Sequence, residues 1–468
     1  MKKTNTELTI SVDAEELTPL DYPTDEITAI PNTDEVDKAC DNVDNPSPPD
    51  GGWGWICVGA RFVSVFICFG VVYSFGVIYV ELVDVFSATR AEVAWVGSVA
   101  SGAMHMAGPL SSLLNEQYGF RVTTIIAGGV AAVGFLVSAF APSLFFLYFS
   151  FGVVGGMGLG LSIVPSLVAV TVYFRKRISF AIATSAIGAG VGTMCLPQLY
   201  RALITEYGWQ GMMMVLSGVA LNLVVCGGLF RMPAYITAQQ IQRAHQRRRR
   251  PSCVSFHSLF AVMNHRPFLI FLAATAATHL GVMVPYVHLP DLARLTGVAK
   301  GDASFLVSIM GFVGILGRLL FGYIADFRCV SRILFYAVML LICGAGTLLC
   351  TMVKTYTLFA VYAAVQGAFI GTWTAFTPIV LTDIVGVQHT GNALGLTIFL
   401  SGISITVASP IAGSLFDFTG RYVASFYLAA SIYLLGGLLN IACYLYIKLK
   451  HDKGIDSLPT YVLDVQAT

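Results

Sequence analysis

About a dozen long apolar runs constrain the fold of this chain more than any other feature of its sequence. Each run is close to the roughly 20 residues that a helix needs to cross the hydrocarbon of a bilayer. Hydrophobic residues make up 56% of the 468 residues and charged residues 11%, which excludes a soluble protein of this length. The sequence therefore predicts an all-α membrane protein with twelve transmembrane helices, at residues 56–80, 93–114, 122–141, 144–171, 180–203, 211–230, 267–289, 303–325, 333–352, 357–382, 393–416 and 423–447.

The longest connection between these runs divides six predicted helices from six others. It is basic and holds four consecutive arginines at 247–250. The amino-terminal segment is rich in Asp and Glu and has no apolar run of signal-peptide length, so we interpret it as a disordered tail. The predicted parts are an acidic cytoplasmic tail (1–49), a six-helix bundle (50–230), a basic cytoplasmic loop (231–266), a second six-helix bundle (267–447) and a cytoplasmic tail (448–468).

Lysine and arginine are distributed unevenly between the two sides of the predicted membrane. If both termini are cytoplasmic, the cytoplasmic segments hold nineteen of these residues and the opposite side holds six. Because Lys and Arg in short loops resist translocation, both termini are predicted to be cytoplasmic. Arg61 and Arg318 lie inside predicted helices and complete the count. Arg61, two turns inside helix one, is expected to extend to the cytoplasmic interface.

Two motifs resemble one family of membrane proteins. The first, Asp50-Gly51-Gly52-Trp53-Gly54-Trp55 after two prolines, opens helix one; its tryptophans alone would also suit an interfacial anchor. The second runs from Tyr173-Phe174-Arg175-Lys176-Arg177 to a glycine-rich stretch at 188–192. Both motifs resemble those of the monocarboxylate transporters, and the resemblance extends from residue 48 to about residue 447.

The resemblance implies a plasma-membrane carrier of the major facilitator fold, in which two six-helix bundles rock about a site near the midplane. It implies a small organic solute as the substrate and, for some members, a single-span immunoglobulin-like chaperone as a partner. Neither a cofactor nor a nucleic-acid partner is expected. The chain has no P-loop motif and its cysteines are scattered singly, so ATP-driven transport, a metal site and enzymatic activity are not expected either.

Arg318 is the leading candidate for substrate binding. A charge in the middle of a spanning helix is costly, so it normally faces a cavity or a partner. Arg318 matches the helix-eight arginine that pairs a substrate carboxylate in proton-coupled members of the family, and a guanidinium can hold both carboxylate oxygens. The alternative is a cytoplasmic gate, formed by Arg318 with Asp326. Arg177, at a cytoplasmic helix end, is either a topology anchor or a gate residue.

Two departures from the family pattern concern proton coupling. Proton-coupled members carry a lysine in helix one and an aspartate one turn before the helix-eight arginine, and this chain has Val77 and Gly314 there. Without that pair the familiar exchange of partners upon protonation is lost. The resemblance therefore favours facilitative transport of monocarboxylates or related amino-acid-like solutes. Proton-linked symport through another group, such as His105, and a solute sensor related to transporters remain as alternatives.

Four further positions match residues that shape the pathway in the family. They are Tyr73 in helix one, His105 in helix two, and Ile370 and Thr374 in helix ten. Ile370 stands in place of a phenylalanine, which predicts a wider pathway and a larger solute. Each of these residues, like His279, could instead serve helix packing. Ser252, after the arginine run, is also a candidate phosphorylation site.

Overall fold

The computed structural model describes residues 50–174, 177–231, 263, 265–325, 331–386 and 390–452. Within these residues the chain is formed of helices and short connections. Among the residues that the structure describes, nine helices are long and apolar enough to cross a membrane. Two of them contain a glycine with positive φ, Gly119 (φ 76°) and Gly208 (φ 68°), where a kink separates two helices. Division at these glycines, together with Tyr356–Val385, gives the twelve predicted spans.

We number the spans by the helices that form them. Span one is Trp53–Tyr73 with Phe75–Phe86. Span two is Arg90–Met106 with the part of Gly108–Ser138 before Gly119, and span three is the rest of Gly108–Ser138. Span four is Leu144–Leu147, the π-helix Tyr148–Gly155 and Gly156–Thr171, and spans five and six are the parts of Ile178–Leu229 before and after Gly208. Spans seven to twelve are Arg266–Leu295, Lys300–Ala325, Arg332–Cys350, Tyr356–Val385, Thr390–Thr419 and Val423–Asp452. Most spans exceed the predicted apolar runs by a few residues, because helices continue beyond the hydrocarbon.

Small residues let the spans pack closely. A Cβ on Gly192 of span five would overlap the backbone of span one at Phe66, and a Cβ on Gly317 of span eight would overlap span ten at Ala368. Transmembrane helices associate through such close packing because the bilayer offers no hydrophobic force between them. Part of the glycine pattern in the sequence is therefore explained by packing within each bundle.

The two bundles meet along two pairs of spans. Span two packs against span eleven, where a Cβ on Gly102 would overlap the side chain of Thr406. Span five packs against span eight, where Gly311 lies against the backbone of Met194. Span one is also interrupted at Ser74, and beyond this residue Gly76 lies against the carbonyl oxygen of Tyr286 in span seven. These contacts place Tyr73 and His105 of the first bundle and Arg318 of the second bundle on helices that meet at the interface.

Candidate functional site

Arg318 lies where four spans from both bundles converge. Its side chain is half-buried in span eight, and Nη1 lies 3.5 Å from the carbonyl oxygen of Ala186 in span five. It interacts electrostatically with the hydroxyl groups of Tyr73 and Tyr286, from spans one and seven. The two tyrosine rings are stacked, with centroids 4.7 Å apart and an interplanar angle of 13°. A cation thus lies beside an aromatic pair that bridges the two bundles.

This arrangement brings together two of the residues predicted from the sequence, Arg318 and Tyr73. It adds Tyr286, which the sequence analysis missed because a tyrosine in an apolar run carries no signal of its own. Tyr73 is the residue of span one beside Arg318, whereas Val77, one turn later, lines a cavity at one end of the bundle. Gly314 is buried one turn before Arg318 on the same helix. The role of these residues in binding stays a prediction.

His105 lies in a second polar cluster between the bundles. Its Nδ1 is 2.8 Å from the carbonyl oxygen of Ser101, so this nitrogen carries the donated proton. The Cβ of His105 lies close to Gly402 of span eleven, and the neighbouring residue Ser401 contacts His279, a buried residue of span seven. The His279 Nδ1 contacts the carbonyl oxygen of Thr275 at 2.6 Å and the hydroxyl group of Ser401 in span eleven at 3.1 Å. Two histidines from opposite bundles therefore lie in one cluster.

Arg61 does not extend to the membrane interface, so that prediction was wrong. The residue is 8% exposed, and its Nη1 donates to the hydroxyl group of Ser185 at 3.1 Å. Ser185 precedes Ala186, the residue of span five that Arg318 contacts. The Nε of Arg61 is buried and has no hydrogen-bond partner among the described residues. The helix orientation, which turns Arg61 towards span five, could not be read from the sequence.

Other predicted residues are placed in part or not at all. Arg177 is exposed at the start of span five, and its backbone N–H donates to the carboxylate of Asp50 at 3.4 Å. Ile370 and Thr374 lie in the helix of span ten, but their side chains are outside the described part of the structure. Asp326 and Ser252 lie outside the described residues altogether.

One end of the bundle interface is closed by a buried carboxylate that the sequence analysis missed. Asp291 of span seven is 1% exposed and accepts from Arg90 Nε at 2.7 Å and from the Tyr422 hydroxyl group at 2.6 Å. Asp417 of span eleven accepts from the backbone N–H groups of Arg90 and Ala91 at 3.0 and 2.8 Å. A carboxylate is favourable there because span two begins at Arg90 and its amino terminus carries partial positive charge.

A second group of charges joins the bundles at the same end. Arg294 donates to both carboxylate oxygens of Asp84, at 2.8 and 3.0 Å. Lys300 lies 3.0 Å from Asp84 and 3.5 Å from Glu81. Asp84 and Glu81 belong to span one, and the two cations belong to spans seven and eight. We call this end of the molecule, where residues 87–89, 296–299 and 420–422 connect the spans, the closed end.

No group of residues with metal-ligand character occurs within the described part of the chain. The charged and polar side chains at the interface offer ionic and hydrogen-bonding recognition. Arg318 and the stacked tyrosines suit a planar anion with an apolar body, and the closed end is held by charge pairs that can separate.

Comparison with known proteins agrees with this architecture. The sequence profile of the Major Facilitator Superfamily matches residues 61–326 and 268–460. Monocarboxylate transporter 12-B of Danio rerio is 30% identical over 444 residues, which cover 89% of this chain and 92% of that protein. Monocarboxylate transporter 2 of Meriones unguiculatus is 30% identical over 410 residues, covering 84% of each chain.

Solved structures of similar shape support the fold alone. The nucleoside transporter NupG superposes with a TM-score of 0.65 at 10% identity and covers 84% of this chain. A D-xylose-proton symporter superposes with a TM-score of 0.64 at 14% identity and covers 82% of this chain. The predicted all-α major facilitator fold is thus confirmed, and so is the prediction of a secondary transporter rather than an enzyme. The chain belongs to the monocarboxylate transporter family of the major facilitator superfamily.

Proposed function

We propose that this protein carries organic monocarboxylates, or related amino-acid-like solutes, across the plasma membrane by alternating access. The observation that supports this most directly is the position of Arg318 beside the stacked rings of Tyr73 and Tyr286. A guanidinium can bind a carboxylate through two parallel hydrogen bonds, and its charge is permanent. The aromatic pair provides a surface for the apolar body of the solute.

The placement of this site between the bundles suits alternating access. Spans one and five belong to the first bundle, and spans seven and eight belong to the second. A rocking motion of the bundles would therefore expose Arg318 to one side of the membrane at a time. A solute bound there can meet one aqueous compartment while the closed end excludes the other. Arg177 and Asp326 are retained as candidate gate residues at the opposite end.

The orientation follows from the distribution of positive charge. Both termini are cytoplasmic in the proposed topology, because the cytoplasmic segments then hold nineteen Lys and Arg against six. The closed end is then extracellular, and the described conformation is closed towards the outside. A single-span immunoglobulin-like chaperone remains a proposed partner for delivery to the plasma membrane.

Solute flux tests the proposal and separates a carrier from a sensor. Purified protein in lipid vesicles should equilibrate at least one carboxylate from a set of graded size, and protein-free vesicles provide the control. Binding of a solute without flux would contradict transport and favour the sensor. Flux of uncharged solutes alone would contradict the proposed substrate class.

A second candidate is proton-linked symport. The observation that favours it is the His105–His279 cluster, in which the adjacent residues Gly402 and Ser401 of span eleven contact one histidine from each bundle. Histidine changes its charge in the physiological range more readily than other side chains. In this case an imposed pH step should drive solute accumulation, and His105→Gln should abolish that accumulation while leaving solute equilibration intact.

A further inference from the structure

A cavity at the closed end lies apart from the proposed transport site. Its volume is about 220 Å³, and it lies between spans one and five of the first bundle and spans seven and eight of the second. Three cations, Arg201, Arg294 and Lys300, line it together with one carboxylate, Glu81. Neither Arg318 nor the stacked tyrosines line this cavity. It is therefore a separate, positively charged compartment.

The charges of the cavity are only partly neutralised by the protein. Arg294 and Lys300 are paired with Asp84 and Glu81. Arg201 is the third cation, and none of the ion pairs or side-chain hydrogen bonds within the described part of the chain involves its guanidinium. Arg294 also lies 4.0 Å from Asp291, which is paired with Arg90. With Asp84, Asp291 and Arg90 included, four cations face three carboxylates, and one positive charge is left over. One bound anionic group would neutralise this remaining charge.

The position of Arg201 leaves its donors available. The guanidinium carbon and both terminal nitrogens lie where a Cβ on Gly301 would be, so the side chain covers this glycine with its flat face. Its N–H groups lie in the plane of the guanidinium and therefore point away from the glycine. A larger residue at position 301 would displace the arginine. The guanidinium therefore lies at the wall of the cavity, and Arg201 is exposed.

We propose that the cavity binds an organic carboxylate, with Arg201 as the residue that anchors it. The inference rests on the proposed function for the solute class, since carboxylates are the solutes that this end of the protein would meet. Because Arg201 belongs to span five and Lys300 and Arg294 to the second bundle, a bound carboxylate ties the bundles together. Occupancy therefore stabilises the conformation with the closed end shut.

Ligand-dependent thermal stability of the purified full-length protein tests the proposal, because a ligand that binds the folded state raises its Tm. The probe is benzoate, and benzamide is the uncharged control of the same shape, in a chloride-free zwitterionic buffer. Four proteins are compared: wild type, Arg201→Gln, Arg318→Gln and Arg421→Gln. The last removes an exposed arginine from the same end without touching the cavity.

Benzoate, and not benzamide, should raise the Tm of wild type, Arg421→Gln and Arg318→Gln. Arg201→Gln is also combined with Arg318→Gln, because benzoate bound at the proposed transport site would otherwise mask the loss. In this double variant the benzoate concentration needed should be at least roughly tenfold higher than in Arg318→Gln, since a charge-assisted hydrogen bond is lost. An equal benzoate response in Arg318→Gln and the double variant overturns the cavity site, and so does the lack of any benzoate response in wild type. A response lost in Arg318→Gln but retained in Arg201→Gln also overturns it, while leaving the proposed transport site intact.

A lipid headgroup is the other source of an anion at this end. The same four proteins are therefore titrated with phosphatidylglycerol in mixed micelles. An Arg201-dependent rise in Tm with this lipid, combined with no Arg201-dependent response to benzoate, would assign the cavity to lipid and overturn the carboxylate proposal. An Arg201-dependent response to benzoate in micelles without anionic lipid supports it.

Discussion

At the scale of single residues, the buried and half-buried arginines are the groups that most need compensating partners within the bundle. A guanidinium within a membrane bundle is kept only where hydrogen-bond acceptors, aromatic faces or a ligand compensate its desolvation. Arg318 has the carbonyl oxygen of Ala186 and the neighbouring tyrosines, and Arg61 has the hydroxyl group of Ser185. The sequence marked both as intramembrane cations, but the two differ in their surroundings.

Substitution of Arg318 tests its proposed role in recognising a carboxylate. Arg318→Lys keeps the positive charge but loses bidentate hydrogen bonding, and Arg318→Gln loses both. Transport should therefore be weaker in Arg318→Lys than in wild type and weakest in Arg318→Gln. For Arg318→Gln we expect kcat/KM to fall by at least roughly tenfold, the loss of one hydrogen bond to a charged group. Uptake is measured at equal surface expression. Normal uptake by Arg318→Gln would remove the residue from the binding site.

Ile370 tests the predicted width of the pathway. If it replaces a phenylalanine of the family pattern, Ile370→Phe should shift selectivity towards small carboxylates and weaken transport of large ones. The measurement is competition by carboxylates of graded size. Leu358→Phe serves as the control, because Leu358 is 52% exposed on the same helix. An identical size profile in both variants would show that Ile370 does not line the pathway.

At the scale of elements, the closed end depends on charge pairs between span one and spans seven and eight. Asp84→Asn removes the carboxylate that Arg294 and Lys300 share. Exposed pairs contribute about 0.2–1 kcal/mol each, so the equilibrium should shift about fivefold towards opening. Amide hydrogen exchange should then accelerate in the connections at 87–89 and 296–299.

Asp302→Asn is the matched control for this variant. Asp302 lies at the same end, in the first turn of span eight, and forms no ion pair among the described residues. Equal exchange in the two variants would indicate that loss of any negative charge loosens this end. Unchanged exchange in Asp84→Asn would show that the buried Asp291 cluster alone keeps the bundles together.

At the scale of the whole molecule, the question is what drives transport. Since Val77 and Gly314 occupy the positions of the coupling lysine and aspartate in the family pattern, we expect the solute gradient alone to drive flux. Vesicles should equilibrate solute at equal internal and external pH. An imposed pH step should produce no accumulation above equilibrium. Strong accumulation under a pH step would contradict facilitative transport and support the histidine-linked alternative.

The sequence alone predicts the number of spans, the division into two bundles and the family. These properties depend on local composition: a run of about 20 apolar residues crosses a bilayer whatever its neighbours are, and short motifs mark the family. The sequence also singled out Arg318, because an intramembrane charge stands out among apolar residues.

Which polar residues contact each other depends on the packing of distant helices. Asp84 and Arg294 are 210 residues apart, and Arg90 and Asp291 are 201 apart, so no local pattern relates them. The orientation of Arg61 towards Ser185 and the stacking of Tyr73 on Tyr286 likewise depend on the rotation of each helix within the bundle. Helix rotation is set by packing between distant segments, and a single sequence records the apolar character of each segment but not its packing partner.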